Sequence, residues 1–187
     1  MQDTHRFQFD ELDEFLQERL LRRVERLGYL GEFFQVAANQ PRALAGFIDF
    51  TEALKEALPA RYLEIVALTI SSRTGNAYER VQHERLALTV GLDATEVEEI
   101  ERGNVSEKSG FSEVECAIYD LAEGIVSASG KGCPTAYEAV RRLVGDRSAV
   151  AVLLTCGRYL AHSAISNTWR LEAPVPSIFD AESGVEV

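Results

Sequence analysis

The sequence has no paired cysteine spacing: its three cysteines, Cys116, Cys133 and Cys156, stand far apart and are odd in number. That excludes a disulfide framework and fits reduced thiols. A long basic run is also missing, and the net charge of −11 with a pI near 4.8 would repel a phosphate backbone, so nucleic acid is not an expected partner. The Met1 to Asp10 stretch carries no apolar segment of signal-peptide length, and no window reads as the ~20 apolar residues that cross a bilayer. The expectation is a cytoplasmic protein without a membrane partner.

Two chemical motifs are absent as well. Ser129-Gly-Lys-Gly132 lacks the spacing of a phosphate-binding loop and follows a helical rather than a strand pattern, so it reads as a loop. No His-Glu-x-x-His or Cys-x-x-Cys spacing occurs; Glu79, His83 and His162 could supply three ligands, but neither a metal nor a cofactor is expected.

What remains is ordinary globular material: 187 residues, 46% apolar and 26% charged, enough for one domain that buries most of its unfolded surface. Apolar residues recur at helical rather than alternating spacing, which predicts an all-α fold, a compact bundle of eight or nine helices. A helix from about Asp10 to Leu27 stops at Gly28, and Pro41 and Pro59 sit where helices start. The Thr74-Gly75 break precedes a helix to about Val90, ended by Gly91. Asp93 with Glu96, and Ser112 with Glu115, have the spacing of capping boxes. Pro134 opens a helix to about Val144, and Asp146 can cap a last one reaching Asn167.

At 100° per residue, Asn76, Glu79, His83, Leu86, Ala87 and Val90 fall within an arc of roughly 100°. A carboxylate and an imidazole therefore share a face with core-seeking residues, which costs several kcal/mol unless they pair. Glu and His four apart can meet directly or through one water. They read either as a satisfied structural pair or as the centre of a site. In the last helix Thr155, Tyr159, His162 and Ser166 form a polar stripe beside Arg158. Arg158 could pair with an acid or across a subunit interface, and His162 could be a core histidine; alternatively either receives a substrate carboxylate.

Three segments carry a family resemblance: Leu58-Pro-Ala-Arg61-Tyr-Leu-Glu64, Asn76-Ala-Tyr78-Glu79-Arg-Val-Gln-His83, and Gly91-Leu-Asp-Ala-Thr-Glu96. Together they resemble the core of the carboxymuconolactone decarboxylase and AhpD-like family, most strongly over 58–103 and more loosely over about 41–169, within a single domain spanning 1–187. The redox branch of that family has a glutamate, a Cys-x-x-Cys beginning twelve residues later, and a histidine four residues after the second cysteine. Glu64, Asn76, Glu79 and His83 match those positions in register, so both cysteines are replaced. Tyr78-Glu79 followed by His83 is similar to a second branch with a Tyr-Glu-Trp-x-x-His pattern, although Arg80 stands in place of the tryptophan.

The resemblance implies Glu64, Glu79 and His83 as catalytic, with Asn76, Tyr78, Arg158, Tyr159 and His162 lining a substrate site. Their chemistry would be cofactor-independent acid/base work, decarboxylation or isomerisation, on a small carbonyl or carboxylate compound. An AhpD-type peroxidase is the alternative, disfavoured by the missing cysteines; a non-catalytic ligand-binding or scaffold protein is the third. The resemblance also implies a homo-oligomer, a trimer or hexamer, with a dimer as the lesser form.

Overall fold

The computed structural model describes residues 4–129 and 131–180. Gly130 of the Ser129–Gly132 segment, the first three residues and the end of the C-terminal tail lie outside the described residues. Among the described residues there are eight α-helices, two short 3-10 turns and no strand, so the all-α expectation holds. The chain clusters into two compact units, Met1–Ala53 and Leu54–Val187. The 58–103 motif region lies wholly in the second.

The first unit contains α1 (Glu14–Leu27), α2 (Glu32–Ala37) and most of α3 (Pro41–Ala57). Leu16 and Leu20 are buried on α1, and the helix stops at Gly28 in the left-handed conformation (φ 79°), which glycine adopts at little cost. Arg19 pairs with Asp49 at 2.9 Å and Arg23 with Glu52 at 3.1 Å, tying α1 to α3. Helix α2 leaves no mark on the sequence pattern; six residues are too few to display a 3.6-residue period.

The second unit is built around α4 (Ala60–Arg73), in which every residue from Leu63 to Ser71 is buried. It packs against α5 (Ala77–Thr89), α6 (Ala94–Arg102), α7 (Glu113–Ser127) and α8 (Pro134–Trp169). Both expected capping boxes form, at Asp93/Glu96 and Ser112/Glu115. Their glutamates also serve Arg61 of α4, which bonds Glu96 and Glu115, the latter at 2.5 Å. One guanidinium thus fixes the N-termini of α6 and α7 against the start of α4.

The sequence pattern predicts two helices after Pro134, one to about Val144 and one capped by Asp146, and α8 consists of two helical segments that meet at a kink at Gly145, whose φ of 79° and ψ of 168° are non-helical. The expected break therefore falls where the sequence places it. An 18-residue window of α8 is apolar enough, by length and composition, to cross a membrane, a correction to the reading that no segment approaches that character. Half of that window is buried inside the protein, and the helix carries buried Arg158 and His162, as a core helix does.

Candidate functional site

The site forms where α5 and α8 face the buried middle of α4. Asn76 starts α5: its side-chain oxygen accepts the Glu79 N–H at 3.3 Å, and its amide donates to Ser163 Oγ of α8 at 3.2 Å. It therefore sets the start of α5 and ties it to α8. One helical turn on, Glu79 and His83 point the same way, as their spacing dictates.

His83 lies between two carboxylates. Its Nδ1 is 2.6 Å from Glu64 Oε2, and its Nε2 is 3.5 Å from Glu79 Oε2. The arginines on the same helix are engaged elsewhere, Arg61 by Glu96 and Glu115 and Arg73 by Glu123 at 2.5 Å. Burial by itself would push the His83 pKa down. The charge and hydrogen bond of Glu64, helped by Glu79, outweigh it and raise the value to about 9. His83 is consequently an imidazolium at neutral pH.

Glu79 is the hub. Arg158 Nη1 donates to its Oε2 at 2.9 Å, and His162 Nε2 lies 3.4 Å from its Oε1. Burial opposes the charged form, but His162, Arg158 and His83 together hold the Glu79 carboxyl well below the usual range. The same attraction keeps Arg158 firmly protonated despite its burial. On its other side His162 Nδ1 meets Ser166 Oγ at 3.0 Å.

Two tyrosines complete the surroundings. Tyr159 meets the His83 ring edge to face at 5.2 Å between centroids, and the Arg158 guanidinium lies over its ring at 4.3 Å. Tyr78 stacks on His162 at 6.2 Å. All eight sequence-selected residues thus belong to one connected cluster. Arg158 forms an ion pair with an acid of the same chain, Glu79. Among the described residues, no group of three or more His, Cys, Asp or Glu side chains is arranged to hold a metal ion.

Sequence reasoning missed Ser163, which lies one residue off the polar stripe of α8, and Glu84, which is fully buried on the far side of α5. Glu84 accepts from Arg80 (2.5 Å), Ser177 Oγ (2.7 Å) and the Ile178 N–H (2.8 Å). The 171–180 stretch is therefore pinned to the helix that carries His83. A carboxylate directly after a histidine gives no sequence signal of burial.

Comparison with known proteins agrees with this architecture. Residues 41–108 match the model of the carboxymuconolactone decarboxylase family. No curated protein matches the sequence. The debrominase Bmp8 without ligand has a similar structure, with a TM-score of 0.77, 14% identity and 92% coverage of both chains. A cysteine-to-alanine variant of Bmp8 in complex with 2,3,4-tribromopyrrole gives 0.76, 13% identity and 90% coverage of both chains. A peroxidase-related protein with an AhpD core from Ralstonia eutropha gives 0.76 and 16% identity, over 92% of this chain and 94% of the other. At such identities the likeness establishes the fold alone. The segment 41–108 is thus similar to the carboxymuconolactone decarboxylase family, and the chain shares the fold of the AhpD-like proteins.

Proposed function

We propose that this protein is a cofactor-independent enzyme of the lyase or isomerase kind, moving a proton at a small carbonyl or carboxylate compound with His83 as the acid/base group. The observation that carries the reading is the unequal grip on the imidazole: tight at Nδ1 (2.6 Å to Glu64), loose at Nε2 (3.5 Å to Glu79). The loosely held Nε2 proton is the transferable one. His83 gives it to the substrate's carbonyl oxygen and keeps its Nδ1 proton hydrogen-bonded to Glu64. Neutral His83 then takes the C–H proton next to that carbonyl at Nε2, leaving the enol, and the reverse steps, run with a proton exchanged from solvent, restore the carbonyl form without a redox step.

Glu79 is too weak a base to compete for that proton, being held anionic by Arg158 and His162. Its part is to stabilise the imidazolium. Arg158, His162, Tyr78, Tyr159 and Asn76 shape and hold the site around it.

A direct test incubates small ketones, lactones and keto acids with the protein in deuterium oxide and follows label next to the carbonyl by NMR. Incorporation that is lost in His83→Ala, with helicity kept, is expected. Equal incorporation by the variant would refute the assignment.

A thiol peroxidase reading is less well supported. Asn76 and Glu79 stand at the positions of the redox cysteines, and burial pushes the Cys156 thiol up to about 12. Hydroperoxide turnover that disappears on replacing Cys116, Cys133 and Cys156 together would favour it. A non-catalytic role draws support from the Glu79–Arg158 pair, which also serves as a core ion pair. The three free cysteines support a reducing, cytoplasmic setting. Exposed Val150, Leu153 and Leu154 on α8 support a homo-oligomer, which light scattering tests.

A further inference from the structure

The outer side of α5 carries a buried charge that the acid/base chemistry does not use. Glu84 follows His83 directly, is fully buried, and projects about 100° further around the helix. A carboxylate out of water is costly unless donors satisfy it. Arg80 serves its Oε1 at 2.5 Å, and two donors from near the end of the chain serve Oε2: Ser177 Oγ at 2.7 Å and the Ile178 N–H at 2.8 Å. The next residue, Arg85, donates from Nη1 to the Pro176 carbonyl. Of three consecutive residues on one helix, His83 therefore meets Glu64 inside, while Glu84 and Arg85 hold residues 176–178 outside.

Residues 171–180 form a strap. It leaves α8 at Arg170, whose left-handed φ of 55° ends the helix, and the Leu171 N–H bonds back to the Ser166 carbonyl at 3.0 Å. Pro174 and Pro176 restrict the backbone of the crossing, which lowers the entropy lost on fixing it. The far end closes on itself: the Ser177 N–H donates to Asp180 Oδ2 at 2.9 Å, and the Phe179 N–H donates to Ser177 Oγ at 3.2 Å. Ser177 is buried, and Ile178 packs on the apolar core of the same unit. The strap thus runs from α8, which carries Arg158 and His162, to the back of α5, which carries Glu79 and His83.

Helix α5 is consequently held from two sides. On the inner side Glu64 meets His83 at 2.6 Å, Ser163 meets Asn76 at 3.2 Å and Arg158 meets Glu79 at 2.9 Å. These contacts tolerate little movement, because an outward shift of about 1 Å would carry the His83–Glu64 contact beyond hydrogen-bond length. On the outer side the strap opposes that shift. Parting strap from helix would take two donors from a buried carboxylate, so Glu84 couples the position of one to the other.

We propose that the 171–180 strap, locked on Glu84, sets the position of α5 at which His83 reaches Glu64, with Glu84 as a positioning residue. Its consequence for catalysis rests on the acid/base reading of His83; the lock itself does not.

The test loosens the strap in the full-length protein and reads His83. Ser177→Ala removes the hydroxyl that Glu84 accepts, and Ile178→Pro removes the N–H. In the double variant, amide hydrogen exchange at Phe179 and Asp180 should quicken by about tenfold or more. The His83 ring-nitrogen midpoint should fall from about 9 to about 8 or lower, because the imidazole loses its close contact with Glu64. Phe179→Ala, which trims an exposed side chain of the strap, should change neither. A double variant with faster exchange and a native His83 midpoint overturns the positioning role, a result that destabilisation of the fold does not mimic. Unchanged exchange also overturns it, since the strap would then not be locked on Glu84. If the double variant does not fold, Ser177→Ala alone is read in the same way. Deuterium incorporation separates this proposal from the reaction. A native protein that incorporates no label, with His83 answering to the strap, refutes the reaction and leaves the lock standing; incorporation with an unresponsive His83 does the reverse.

Discussion

His83 Nδ1 and Glu64 Oε2 lie 2.6 Å apart, joining α5 to the buried middle of α4. Glu64→Gln keeps the shape and removes the charge that raises the imidazole pKa. The His83 value should fall from about 9 toward its ordinary 6.5, and deuterium incorporation should drop by roughly 10²-fold, the scale of a general acid/base contribution. Parallel measurement of the His83 titration and of incorporation checks both; a variant with native incorporation would remove Glu64 from the mechanism.

The same raised pKa makes stability depend on pH. A histidine whose folded value exceeds its unfolded one contributes fully below about 6.5, and the contribution is lost as pH rises through about 9. The loss is on the order of 3 kcal/mol for a shift of this size. Glu79 acts in the opposite sense: its depressed pKa contributes above the ordinary 4.5 and is lost in acid. Urea denaturation between pH 6 and 10 should show the alkaline fall, and His83→Gln should flatten it.

Arg158 and Glu79 form a pair whose partners are not expendable singly. Arg158→Met leaves a buried carboxylate without its 2.9 Å guanidinium partner and should destabilise the protein by about 3 kcal/mol. Adding Glu79→Gln should recover part of that cost, with a coupling energy above about 1 kcal/mol in a double-mutant cycle. Strict additivity of the two substitutions would show that the pair contributes no interaction of its own.

On the other face of α5, Glu84 and Glu101 share Arg80, at 2.5 Å and 3.3 Å. Burial first, and the neighbouring Glu84 second, push the Glu101 carboxyl up to about 7, against the pull of Arg80. A carboxyl raised on folding stabilises below its ordinary 4.5 and loses that contribution as pH climbs through about 7. Glu101→Gln should therefore level the stability profile between pH 5 and 8 while leaving the fall near pH 9 intact. A variant profile parallel to the native one would show that Glu101 does not carry that limb.

Much of this is legible in the sequence because the signals are local. Capping boxes, prolines and terminal glycines act within one turn, so Asp93/Glu96, Ser112/Glu115 and Gly28 mark their helix ends correctly. The Glu79–His83 face follows from helical geometry alone. What sequence does not supply is the partner across space. Arg158 stands 79 residues from Glu79, and nothing in a helical period says which acid a distant guanidinium will meet. Glu84 illustrates the converse: beside Arg80 one turn away, its donors come from residues 177 and 178, a stretch with no periodicity to read. The break at Gly145 is legible too, because one residue of positive φ between Val144 and Asp146 ends one helical period and lets another begin.

The proposed function depends on His83 being held as an imidazolium between Glu64 and Glu79. Its ring-nitrogen signals, followed by NMR from pH 5 to 11 in the intact protein, test this most directly. The account predicts both nitrogens protonated through neutral pH and a midpoint near 9. A midpoint at or below the ordinary 6.5 would contradict it.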